Sequence, residues 1–116
     1  MSEINVRPSV DLTRNLSILD TLTEKVASVH GHDQPSLLAV RESFSRTADA
    51  LIAYTEKKSS VESAQTAARH IAHIRELTGN YCPPAHACRS YRAMLDGLSQ
   101  LDQESGPILQ ASLASQ

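Results

Sequence analysis

Two cysteines and five histidines hold most of the chemistry this 116-residue chain can offer. Cys82, His86 and Cys88 make a Cys-x3-His-x-Cys cluster beside the start of a helix. Zinc would require a fourth donor and three converging side chains, and residues two apart on a helix diverge. Cys82 followed by Pro83 is a pairing that can present an axial thiolate to haem, and a thiol at a helix N-terminus gains thiolate character. The cluster therefore supports ordinary structural side chains, a sensing thiol, or a relocated metal or haem site, with Cys88 read as a small apolar group turned inward.

His70 and His73 stand three apart and can share one helix face, a two-ligand geometry. Neither has a carboxylate four residues on, so the competing reading is a pair of solvated or structural imidazoles. His30, just before a turn, reads as a capping or packing residue. Tyr54 beside Lys58 reads as the end of a helix, with the lysine suited to a helix C-terminus. No Ser-His-Asp set, Cys-His-Asn set, glycine-rich phosphate loop or paired-acid arrangement is present, which argues against an enzyme.

These groups need elements to position them, and apolar spacing predicts four helices. Leu12, Leu16, Leu19, Leu22, Val26 and Val29 make the inward stripe of the first, over 9–30, with Gly31 ending it. After Pro35 at a first helical position, Leu37, Val40, Phe44, Ala48, Leu51 and Thr55 stripe the second, which runs to Lys58. Ser59 with Glu62 reads as a capping box for the third, striped by Val61, Ala64, Ala68, Ile71, Ile74 and Thr78 and stopped at Gly79. The fourth is opened by Pro83-Pro84, striped by Cys88, Tyr91, Leu95, Leu98 and Leu101, and broken or ended at Gly106-Pro107. Helices of this length joined by short turns pack as antiparallel neighbours, so the expected fold is an all-α, up-down-up-down four-helix bundle.

Composition agrees. Aromatic residues make up 3% and glycines number four, which disfavours a sheet protein. The length suits one domain, over 9–113, between a flexible leader at 1–8 and a tail at 114–116. Net charge is −2 with the signs interspersed, so no basic field for nucleic acid is expected; Arg69, Arg75, Arg89 and Arg92 give only a mild local bias, read as a solvated face. No apolar run reaches the roughly 18 residues of a membrane span and no secretory layout opens the chain, so the expected location is cytoplasmic. Two cysteines six apart suit a reducing compartment.

Several stretches also resemble one family. Tyr81-Cys82-Pro83-Pro84, Ala87-Cys88-Arg89, Tyr91-Arg92-Ala93-Met94-Leu95, Gly97-Leu98 and Leu101-Asp102 are similar to the fourth helix of the hemerythrin-like (HHE) di-iron proteins that repair iron–sulfur clusters. Leu22 to Gly31, Pro35 to Phe44 and Ile74 to Thr78 extend the likeness, which spans 11–104. The resemblance implies a bundle that would hold two irons through histidines and carboxylates. The corresponding positions here fall near Pro8 and Ser9, on Tyr54 and Lys58, near Ala64, and on Ile108 and Ser112, none of them a competent ligand set. The connection between the second and third helices is also shortened, so one end of the bundle is cut down. Removing inward carboxylates and imidazoles together is what a core without a metal requires. The reading is a metal-free, non-enzymatic degenerate member acting through a protein partner or as a homo-oligomer, in a nitrosative or oxidative stress or iron–sulfur repair setting. Its contact surface is expected around 54–61 and 106–113; the competing reading is a sensor built on Cys82 with His86, or His70 with His73.

Overall fold

The computed structural model describes residues 8–56 and 61–114 and arranges them in four helices: α1 (Pro8–His30), α2 (Ser36–Glu56), α3 (Val61–Leu77) and α4 (Arg89–Ala114). No strand occurs among the described residues. Each helix packs on its neighbours in the chain and α4 closes back on α1, with the largest contact between α2 and α3. This is the up-down-up-down four-helix bundle, 42 × 29 × 20 Å in extent.

The seam follows a stricter rule than apolar spacing suggests. Buried positions step by three and four without interruption: 16, 19, 23 and 26 on α1; 37, 40, 44, 47 and 51 on α2; 64, 67, 71 and 74 on α3; 91, 94, 98, 101 and 105 on α4. That is a heptad repeat, and it enrols Thr23, Thr47, Ala67 and Ser105. Val29, expected in the stripe, is 55% exposed because it lies off this repeat, and Ala68 flanks the seam that Ala67 occupies. Two of the buried hydroxyls return to their own helices: Thr47 Oγ1 donates to the Ser43 carbonyl at 2.8 Å and Ser105 Oγ to that of Leu101 at 2.7 Å. Hydroxyl residues satisfied in this way can occupy a core without an outside partner.

Both ends of α4 differ from expectation. α4 begins at Arg89, so 80–88 is a loop and Cys88, whose carbonyl accepts from the Arg92 N–H at 3.0 Å, is its N-cap. The Pro83-Pro84 step lacks two N–H donors in succession and sits in the loop, not in a first helical turn. At its other end α4 does not break at Gly106-Pro107 but runs through to Ala114. Pro107 leaves the Gln103 carbonyl without its helical donor, yet Gly106 has no Cβ to clash with the proline ring, and continuing the helix buries Leu109. α2 is described to Glu56; Lys58 and the Ser59 cap lie outside the described residues, as do the last two residues of the tail and the expected leader at 1–8 except Pro8, which instead begins α1.

α3 does end at Gly79 as expected, through a Schellman motif. The Asn80 N–H bonds the Arg75 carbonyl at 2.8 Å and the Gly79 N–H that of Glu76 at 3.3 Å, with Gly79 at φ +60°. Gly31, by contrast, ends α1 for lack of space: a Cβ there would lie 2.8 Å from Leu38 Cδ2.

α1 comes close to α4 at Gly97, where a Cβ would stand 2.6 Å from Leu19 Cδ2, a fully buried side chain. Gly97→Ala is expected to destabilise the fold by about 1–3 kcal/mol through overpacking, despite alanine's better helix propensity. Urea unfolding checks this.

Candidate functional site

The chemistry gathers at the end of the bundle where α1 finishes, α2 begins and the loop 78–88 crosses between α3 and α4. This loop is wound left-handed: Gly79, Asn80 and Tyr81 have φ values of 60°, 64° and 67°. Glycine and asparagine tolerate that region, but an aromatic residue there costs roughly 1–2 kcal/mol. Several contacts hold it. Tyr81 N–H donates to Thr78 Oγ1 at 2.9 Å, Cys82 N–H to the Thr78 carbonyl at 3.2 Å, and the Tyr81 hydroxyl to Asp102 Oδ2 at 2.8 Å. Asp102 is gripped from α3 by the Arg75 guanidinium, Nε and Nη2 each donating at 3.0 Å. Arg92 then folds back from α4 to donate to the carbonyls of Ala87 at 3.2 Å and Ala85 at 3.3 Å.

In this geometry Cys82, His86 and Cys88 do not form a group that could hold a metal ion. His86 Nε2 accepts from the Gln34 amide at 3.5 Å, while Cys88 Sγ lies 3.5 Å from His30 Nε2. His30 also packs on Tyr91, ring centroids 6.0 Å apart, and the Tyr91 hydroxyl donates to Gln34 Oε1 at 3.0 Å. His30 thus packs at the turn as expected. Cys88 does not turn inward: both thiols are free and exposed, because the loop ends one residue before the helix that was to bury it. Cys82 borders a cavity of about 420 Å³ walled by Leu37, Val40, Leu77, Pro84, Tyr91 and Leu95.

His70 and His73 share α3 but face different surroundings. His73 Nδ1 shares a hydrogen bond with the buried Ser43 hydroxyl at 3.2 Å. His70 borders a shallow recess with Arg46, Asp49, Glu62 and Thr66, and its Nδ1 is shut away from water with no hydrogen-bond partner. Among the described residues, no three His, Cys, Asp or Glu side chains are grouped to hold a metal ion.

A di-iron centre asks for inward imidazoles and carboxylates. The buried polar side chains among the described residues are Thr23, Ser43, Thr47 and Ser105, hydroxyls that do not form such a donor set. Of the positions that correspond to ligands, Ala64 is fully buried and Tyr54 packs against the core. Lys58 and the side chains of Ser9, Ile108 and Ser112 lie outside the described residues. The described residues do not fit the group.

Gln34, Tyr81 and Asp102 escaped the sequence reading. Asn80 after a glycine signals a left-handed turn; nothing marks Tyr81 or its acceptor twenty-one residues away.

Two pH effects follow. Burial first, then the bond to Asp102, raises the Tyr81 phenol well above its usual value, and burial raises Tyr91. Their contribution to stability is complete below about pH 10 and is lost as pH rises beyond it. Tyr81→Phe should cost about 1–3 kcal/mol at neutral pH and flatten the alkaline fall, read by melts across pH with phenolate absorbance. His70 is lowered, by burial first and then by Arg69 and Arg46, so its contribution is present above about pH 6.5 and lost as pH falls. His70→Gln should flatten the acid limb of the same melts. No known family, curated protein or solved structure matches this chain significantly.

Proposed function

We propose that this chain is a metal-free, non-enzymatic relative of the hemerythrin-like bundles that acts in the cytoplasm by contact with another protein or with a second copy of itself. The observation that carries this reading is the filling of the bundle interior. Ala64 is fully buried, and the seam among the described residues is filled by alkyl groups with hydroxyls such as Thr47 and Ser105 that bond their own helices. Among the described residues the interior brings no group of side chains that could hold a metal ion, and binding is the use left to the fold. The resemblance over 11–104 supports an iron–sulfur repair or nitrosative-stress setting. Among the described residues no helix is long and apolar enough to cross a membrane.

The contact face favoured here differs from the cut-down end expected from sequence, much of which falls outside the described residues. Ile18 and Val29 are 52% and 55% exposed, and eleven residues is three helical turns, so both project from one side of α1. Beside Ile18 a groove between α1 and α4 is lined by Leu22, Ala93 and Gly97, small enough to admit a side chain from outside. Ile18→Glu with Val29→Glu should leave the melting temperature nearly unchanged, since both side chains are largely in water. Light scattering after size exclusion, with pull-downs from the native host, should show loss of a dimer or of a specific partner in that variant. A wild-type chain that is monomeric and captures nothing overturns the reading.

A further inference from the structure

We infer that the cavity beside Cys82 is a binding site for a small, uncharged, mostly apolar molecule. Its volume of about 420 Å³ lies within the range of ligand pockets, and its walls come from α2, the end of α3, the loop and α4. Half-buried Leu77 and Pro84 and exposed Pro83 supply its accessible apolar surface over a floor of buried Leu37, Val40 and Leu95, with Pro83-Pro84 as a stiff lip. No charged side chain lines it. An ion entering would lose hydration without a counter-charge, so the site selects against charged ligands. Ser36 and Thr78 at the wall leave room for one polar end.

The cavity is built into the native chain and does not wait for a ligand to shape it. The loop that supplies one wall holds Tyr81, next to the lining residue Cys82, in the left-handed region, and such strain persists only where the surroundings over-determine it, a condition found repeatedly at ligand clamps. Here the Asp102 carboxylate, the Thr78 hydroxyl and the Arg92 guanidinium each tie the loop down independently. The recess beside His70 is shallower and carries charges of both signs, which suits water better than an apolar guest, and the groove between α1 and α4 has the Asp96 carboxylate in its lining. This inference is independent of the contact face on α1, which lies on another side of the bundle's residues.

The neutral fluorophore N-phenyl-1-naphthylamine, titrated into the full chain, tests it. Saturable one-to-one binding is expected, displaced by decanol and at least about tenfold less well by decanoate. The occupant should slow maleimide labelling of Cys82 severalfold while leaving Cys88, exposed on the same loop but outside the cavity lining, unchanged. Cys82→Trp, at an exposed position, should fold and weaken binding about tenfold or more. If that variant does not fold, the two labelling rates in the wild-type chain decide. Absence of saturable binding, displacement by decanoate as good as by decanol, or equal effects on both thiols would overturn the inference.

Discussion

Asp102 holds two helices and a loop with one carboxylate, and the functional end of the molecule depends on that attachment. It accepts a fork of two bonds from Arg75 on α3 and a third from the Tyr81 hydroxyl. The carboxylate is largely sheltered while the guanidinium is half exposed. Bidentate bonds to a charged acceptor are the strong ones, and the proximity of Asp102 raises the pKa of Arg75 further. Three left-handed residues in succession would unwind without such an anchor. With it, the loop carries Cys82 over the gap between α2 and α4 and delivers Cys88 to the start of α4.

A second polar clamp joins the opposite pair of helices. Arg41 on α2 donates through Nη1 to Asp20 Oδ1 at 2.8 Å, to Thr23 Oγ1 at 2.9 Å and to the Asp20 carbonyl at 3.1 Å. The buried Thr23 is thereby given a partner from outside its helix. Both clamps use arginine, whose planar fork keeps several donors in fixed relation. Among the described residues the interior they border contains no charge, so its cohesion comes from apolar burial and from the fit of side chains along the heptad.

An interior sealed in this manner moves the interest of the molecule to its ends and faces. The loop end combines two accessible thiols, a Gln34–Tyr91 link and an apolar cavity; the α1 side carries isolated exposed aliphatics beside a groove. These features rest on different residues, so each can be altered without disturbing the other.

What the sequence determined by itself was the number of helices, their order and most of their inner faces, because apolar spacing and turn residues are local signals and each helix must bury its own stripe. Gly79 could be read as a stop for the same reason. The tertiary structure decided what local signals do not encode. Thr23, Thr47 and Ser105 belong to the seam, but a hydroxyl residue reads as polar until its carbonyl partner is known. Pro107 reads as a break, and only the burial of Leu109 shows why α4 continues. The Cys82, His86 and Cys88 cluster looks like one site along the chain but forms no group that could hold a metal ion, and partners on α1 and in its turn, His30 and Gln34, engage two of its members from more than fifty residues away. Spacing along a chain constrains side chains on one helix; across a loop, the elements packed against it settle where they go.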